Sequence, residues 1–412
     1  RNIGSLYYDL GDKEKALKFA EIGYNHAKRI FLPNTMHYYN AVTMMGEANL
    51  YGNNLNEAFK YLNEAKKVLK NIDGDNYIWN AQLNRTFGDA YFKMGDYKNA
   101  VTAYEDSKKK YLEHNPDMSS QNQIYLYLGL ARAYSKIKAF KKAKQLATEV
   151  YDLAQKNYGE NAYLSKTAIL TLGEISFEEN NFESAINYAK KGLNIIENLK
   201  THSEKDLAFF GIDYVDFLLL HDKAKYKKTN KHDVTKLKEI AVSLDNTIGV
   251  LERKKMLKSS TSDILNDFSL DGELFEFAKK IQLDLYFKTN NQKYLNNLIE
   301  LHESSIYQRI RARLNLKELI VKEMPEAILN EEKKLKNNLQ NIIEKKEINE
   351  TNIDSFTNTI AKWDAFLENL KIKQPRYFKM RYASLKNSVD TLLNNVDKKT
   401  TLVRYFNVDN SL

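Results

Sequence analysis

The chain has 412 residues, 43% hydrophobic and 28% charged, a balance that buries a large core and excludes a disordered chain. It has no cysteine, which excludes disulfides, thiolate metal sites and a cysteine nucleophile and fits a reducing compartment such as the cytoplasm. The net charge of +9 is spread, with 27 basic and 23 acidic groups in residues 1–200 and 36 and 31 in the rest, and no apolar run approaches the roughly 18 residues that span a bilayer.

With only four prolines and fifteen glycines, and few alternating β-branched stretches, the composition predicts an all-α protein. The first 200 residues repeat. Gly4, Gly46, Gly88, Ala131 and Gly173 step by 42, 42, 43 and 42, and Ala16, Ala58, Ala100, Ala143 and Ala185 each follow twelve residues later. A fixed period of this size predicts a solenoid of stacked units. Within a unit, apolar spacings of three and four flank a break, as in Phe87-Gly88 and Tyr91, then Gly95-Asp96-Tyr97, then Ala100 and Tyr104, so each unit reads helix, turn, helix. Gly11-Asp12, Gly52-Asn53 and Gly95-Asp96 supply a helix stop that tolerates positive φ and then a cap, and Lys138-Ala139 and Asn180-Asn181 fill the equivalent turns. Glycine inside a helix costs about 1 kcal/mol against alanine. Close approach of two helix backbones, with Tyr97, Phe140 and Phe182 covering the joint, is the expected compensation.

The pattern Leu/Phe-Gly-x-x-Tyr, then Ala, then an aromatic or aliphatic, then Ala or Gly resembles the tetratricopeptide repeat family in a long form of about 42 residues. Repeat three carries it best, with Phe87, Gly88, Tyr91, Ala100 and Tyr104. Ser107 replaces the last small residue, and Asn49 and Ser176 stand where the tyrosine is expected. The resemblance implies a right-handed superhelix. It is nearly silent on function.

Past residue 200 the register fades. Residues 207–225 and 234–257 read as one helix pair around a lysine-rich loop, and 271–288 and 292–316 as another joined at Thr289-Asn290-Asn291. Pro325 suits the first turn of a helix. Ile328, Leu335, Leu339 and Ile342, answered by Ile360, Trp363, Leu367 and Leu370, then predict a long antiparallel hairpin. The expected divisions are 1–200 for five repeats, 201–320 for degenerate pairs and 321–412 for the hairpin and a linker.

A second resemblance lies in this last part. Pro325 with Ile328-Leu329 and Glu331-Glu332, then Pro375 to Tyr382, then Thr400 to Phe406 are similar to the segment joining tetratricopeptide repeats to a CHAT domain in bacterial proteins. It implies a regulatory half whose caspase-like protease domain would follow Leu412, with that domain as one partner. Glu303-Ser304-Ser305 resembles the family's Glu-x-Ser-Lys stretch, with Ile306 in place of the lysine. Arg1 falls inside a helical pattern, so the native N-terminus and any targeting signal are expected upstream.

No catalytic or metal-binding constellation emerges. The histidines at 26, 37, 114, 202, 221, 232 and 302 form no i, i+4 pair and no HExxH. There is no phosphate loop, and Asp73-Gly74-Asp75 lacks the later ligands of a calcium loop. Glu178-Glu179 and Glu331-Glu332 point about 100° apart on a helix and read as solvated faces. Arg309 and Arg313 share a face that Arg311 does not. The lysines from Lys223 to Lys238 read as a solvated loop, with phosphate binding as the alternative. No cofactor is implied.

Binding is what repeat geometry supports. Residues three and six before each small residue, and one, four and five after it, form a stripe away from the packing face, and stacking aligns the stripes into a groove. The stripes are Ser5, Tyr8 and Asp9; Asn40, Thr43, Glu47, Leu50 and Tyr51; Gln82, Arg85, Asp89, Phe92 and Lys93; Tyr125, Leu128, Arg132, Ser135 and Lys136; Thr167, Leu170, Glu174, Phe177 and Glu178. This mixture suits a protein or peptide ligand, with Tyr8, Phe92, Tyr125 and Phe177 as anchors, or equally as the packing surface of an adjoining domain. It lacks the Lys/Asn arrangement that clamps a C-terminal carboxylate. A passive scaffold, or a sensor attached to a kinase or transcription factor, is the alternative.

Overall fold

The computed structural model describes residues 13–74, 76–114, 121–160, 162–197, 214–229, 233–256, 268–313, 324–344 and 350–382, with residues 397, 403 and 408. Sixteen helices account for nearly all of these, and the one β-type residue among them is Val408, in an isolated bridge. The chain is therefore all-α. It forms two compact units, Arg1–Tyr188 and Ala189–Leu412.

The first unit stacks α1 (Lys13–Ile30), α2 (Met36–Tyr51), α3 (Leu55–Lys70), α4 (Tyr77–Met94), α5 (Tyr97–His114), α6 (Gln121–Lys136), α7 (Phe140–Tyr158) and α8 (Tyr163–Glu178), each packed on the next. The first helices of neighbouring repeats, α2, α4, α6 and α8, also touch one another. Elements on the inside of a curved stack lie closest together, so these helices form its inner face. The twelve-residue partners behave as the spacing requires: Ala58, Ala100, Ala143 and Ala185 are wholly buried, as is Ala131.

The small residues of the first helices make room for a large side chain of the second helix, and at Gly46 for its backbone as well, with Leu62 N 3.4 Å from where a Cβ would lie. A Cβ on Gly46 would lie 2.7 Å from Leu62 Cδ2, and one on Gly88 would lie 2.5 Å from the Tyr104 ring. Leu62 and Tyr104 both stand sixteen residues on, so a large knob from the second helix fills the notch left by glycine.

The turns repeat more faithfully than their residues. Left-handed backbone recurs at Asn53 (φ 64°), Gly95 (83°), Lys138 (65°) and Asn180 (63°), again 42 or 43 residues apart. In each turn the next N–H reaches back to the helix: Asn54 N to Asn49 O (2.8 Å), Asp96 N to Tyr91 O, Ala139 N to Tyr134 O and Asn181 N to Ser176 O (each 2.9 Å). This is the Schellman closure of a helix C-terminus. Gly52 has φ −68°, so the positive φ falls on Asn53 instead, a residue type that tolerates it through local hydrogen bonding. Asn49 and Ser176, in the tyrosine positions, are buried and donate to Met45 O and Leu172 O of their own helices, both at 2.8 Å. Buried Ser107 donates to Ala81 O at 2.6 Å, so its hydroxyl is satisfied between helices.

Helix α9 (Phe182–Glu197) runs from the first unit into the second, where Gly192 lies against the wholly buried Phe217. The second unit continues with α10 (Tyr214–Lys228), α11 (Val234–Met256), α12 (Phe268–Thr289) and α13 (Gln292–Arg313), packed in sequence. Asn290 is left-handed, and Asn291 Oδ1 accepts from Lys293 N at 3.0 Å, so the polar break both stops one helix and caps the next. The hairpin is α14 (Glu326–Glu344) against α15 (Glu350–Lys373), followed by the short α16 (Pro375–Arg381). Leu335, Leu339, Ile360, Trp363 and Leu370 are buried in its core, with Ile328, Ile342 and Leu367 packed against them. Arg253 of α11 binds Asp364 of α15 through both Nη atoms at 3.1 and 2.9 Å.

The expectation that both members of Glu331-Glu332 are solvated is overturned. Glu331 is exposed, but Glu332 is buried and ion-paired, because α16 folds back over the hairpin and covers it. Among the described residues, no helix is long and apolar enough to cross a membrane.

Candidate functional site

The inner face is built from stripes four residues apart on α2, α4, α6 and α8, and repeat stacking brings equivalent positions together. Lys93 Nζ donates to Leu50 O at 3.0 Å, Arg132 Nε binds Glu174 Oε2 at 2.9 Å, and Lys136 Nζ binds Glu178 Oε1 at 2.6 Å, pairs 42 or 43 residues apart in sequence. Lys144 adds an ion pair with Glu179. Repeat four thus presents cations where repeat five presents anions. The Arg132 and Glu174 side chains are 32% and 41% exposed, so solvent screening keeps the pair under about 1 kcal/mol. Arg132→Glu is expected to destabilise slightly through repulsion from Glu174, and adding Glu174→Arg to restore most of the loss. A double-mutant cycle by urea unfolding with zero coupling would show that the ladder contributes nothing.

Other predicted positions, expected away from the packing face, are instead taken up by packing or by internal bonds. The Leu50, Leu128, Ser135, Leu170 and Thr167 side chains are buried, and Thr167 donates to Tyr163 O at 2.9 Å. Phe92 and Phe177 pack edge-on against Tyr97 and Phe182 of the following helix, with centroids 5.3 and 5.6 Å apart, and so brace the turn. Asp89 accepts from Tyr104 OH at 2.6 Å. Burial holds the Asp89 carboxyl above the ordinary value, against the opposing pull of Arg85, Tyr104 and Lys93. Tyr125 is half-buried. Tyr8 and Asp9 lie outside the described residues, as do Gly4 and Gly11-Asp12, the side chains of Arg309, Arg311 and Arg313, and most of residues 400–406.

Four of the predicted positions meet at one opening. Asn40, Thr43, Glu47 and Gln82 line a pocket of about 460 Å³ between α1, α2 and α4. Asn40 and Gln82 occupy the same register position in adjacent repeats, six residues before Gly46 and Gly88. Tyr39 and Trp79 form an aromatic wall, 6.1 Å between centroids and nearly perpendicular, fixed by the Tyr39 hydroxyl donating to Trp79 O at 3.2 Å. Phe31 stacks on His37 at 4.7 Å on another side, and His26 completes the lining. His37 and Trp79 each stand nine residues before the small residue, so carrying the stripe one turn further back finds both. His26 and Phe31 come from the end of the preceding repeat, which no pattern internal to one repeat reveals.

Helix α10 carries Lys223 and Lys225 and runs past the expected end at residue 225 through Lys227 and Lys228, so most of the lysine-rich stretch is helical rather than a loop. Lys223 pairs with Glu273, and Lys225 with Glu239 at 2.9 Å, so neighbouring helices answer its charge. Among the described residues no cluster of His, Asp or Glu has metal-site geometry.

Residues 38–112 match the tetratricopeptide repeat family. This span runs from within α2 to within α5 and includes Asn40 and Gln82 of the pocket. The chain also superposes on solved structures at low identity. BtubC from P. vanneervenii superposes with a TM-score of 0.45 at 14% identity, over 58% of this chain and 90% of BtubC. Apo RapI gives 0.44 at 10% identity, over 80% and 99%. A Rap protein complexed with Competence and Sporulation Factor gives 0.43 at 12% identity, over 90% and 98%. No curated protein sequence matches the chain significantly.

Proposed function

We propose that the chain works by binding rather than by catalysis, and that the inner face around Asn40 and Gln82 receives an extended peptide segment of a protein ligand. What carries this reading is the pocket itself: two side-chain amides, one repeat apart, flank an opening with aromatic walls. An extended peptide presents alternating N–H and C=O groups, and an amide side chain can donate to one and accept from the other. Trp79 and Tyr39 offer rigid apolar area at little entropic cost. Further along, the ladder from Arg132 to Glu178 pairs inner-face charges with each other, which concentrates recognition at repeats two and three.

Selection of a displayed peptide library on the purified chain tests this. Enriched peptides are expected to lose about tenfold in affinity on Asn40→Ala or Gln82→Ala, corresponding to a lost hydrogen bond of about 1.4 kcal/mol. Peptides that bind both variants as tightly as the parent would move the site elsewhere.

The sequence similarity of residues 325–332 and 375–382 to the segment before a CHAT domain supports a regulatory role toward a caspase-like protease. In that role, ligand capture shifts a conformational equilibrium of the repeat region, which requires different affinity for its two states. The gene downstream of Leu412 decides it: a caspase-like histidine and cysteine support the reading, and a kinase or DNA-binding module replaces it.

A further inference from the structure

A second groove, of about 570 Å³, lies between α11 and α13 with α12 as its floor, wholly within the second unit and apart from the inner-face pocket. Its direction can be read from the contacts. Five residues separate α10 from α11 and two separate α12 from α13, and Lys225 near the end of α10 pairs with Glu239 near the start of α11, so each pair is antiparallel. Lys223 pairs with Glu273, while Tyr226 OH donates to Asp284 at 2.6 Å, so moving forward along α10 moves forward along α12. α10 and α12 therefore run the same way, and so do the groove walls α11 and α13.

The charges on these parallel walls are in register. Lys238 on α11 and Lys293 on α13 lie at one end, and Asp245 and Glu300 each follow seven residues later. Seven residues of helix advance about 10 Å. The groove thus has a basic end and an acidic end, separated by apolar surface that includes Val242, 62% exposed, with Ile248 and Leu285 beneath. The two amides inside face each other, Asn297 Nδ2 donating to Gln282 Oε1 at 3.2 Å, rather than standing one repeat apart along the groove. They do not present a ladder for an extended peptide. A helix satisfies its own backbone and needs only apolar contact with complementary charge.

We propose that this groove docks an amphipathic helix of a partner protein, with acidic side chains toward Lys238 and Lys293 and basic ones about two turns away toward Glu300. The charge pattern sets selectivity and the apolar strip around Val242 supplies affinity.

The test uses the full chain and three fluorescent synthetic helices that share one leucine face. One has glutamates at one end and lysines two turns on, the second only lysines, and the third only glutamates. The block-charged helix is expected to bind at least tenfold more tightly than the other two. Val242→Glu, at an exposed position that folding does not need, should reduce that binding at least tenfold. Lys238→Glu with Lys293→Glu should make the all-lysine helix the best ligand, while Asn40→Ala should change none of these affinities. Equal binding of the three probes, or binding indifferent to Val242→Glu or to the lysine reversal, overturns the proposal.

Discussion

Replacing Glu332 with alanine is expected to destabilise the hairpin of the second unit by about 3–5 kcal/mol, the usual consequence of removing one partner from a buried ion pair. Glu332 is 3% exposed and Lys336 5%. Around the carboxylate converge Arg381 Nη2 at 2.6 Å, Lys336 Nζ at 3.2 Å and the Tyr377 hydroxyl at 2.6 Å. Lys336 also lies 5.5 Å over the Trp363 ring and 5.2 Å over Tyr382, so its position is fixed from two sides. Alanine would leave two cations in this enclosure without their anion. Glu332→Gln keeps an acceptor for Tyr377 and should cost less. The protein has two tryptophans, and in a Trp79→Phe background Trp363 fluorescence reports hairpin unfolding in urea. An unchanged midpoint for Glu332→Ala would mean that α16 does not depend on this network.

The same group sets a pH dependence. Burial pushes the Glu332 carboxyl up, but Lys336, Arg381 and the Tyr377 hydroxyl together outweigh it and hold the group below its ordinary value of 4.5. A depressed folded-state value means that its stabilisation is complete above 4.5 and disappears as the pH falls through the lower, folded value. The parent should therefore lose hairpin stability on acidification more steeply than Glu332→Gln. Parallel acid profiles for the two proteins would contradict this assignment.

Gly88→Val should destabilise the first unit by about 1–3 kcal/mol, because the notch it fills already holds the Tyr104 ring. The ring has little room to withdraw. Its hydroxyl is tied to Asp89 at 2.6 Å, and its far edge lies 3.0 Å from where a Cβ on Gly129 would sit. Combining Gly88→Val with Tyr104→Ala should cost less than the sum of the single changes, since the new side chain enters the space the ring vacates. Strict additivity in thermal or urea unfolding would show that Gly88 and Tyr104 do not share that space.

Period, turn position and hairpin were legible without coordinates because each is a local or strictly repeated property. Five small residues at one interval announce stacked units, and Leu335, Leu339, Ile360, Trp363 and Leu370 announce a seam by spacing alone. The correspondence of positions between repeats was legible in the same way, so the sequence already put Arg132 and Glu174 at equivalent places. What those side chains do there was not legible. Whether Arg132 faces a ligand or binds Glu174, and whether Phe92 anchors a peptide or braces Tyr97, depends on distances between repeats that no spacing encodes.

Glu332 marks the boundary most clearly. On its own helix it is one of two adjacent glutamates and reads as solvated, and only the return of α16, about 45 residues later, encloses it. The sequence by itself determined the helices, their period and which faces are apolar, since these follow from the 3.6-residue turn and from side-chain chemistry. Tertiary structure alone decided which polar groups are buried and which openings persist, because desolvation and pairing depend on what long-range packing brings within a few ångströms.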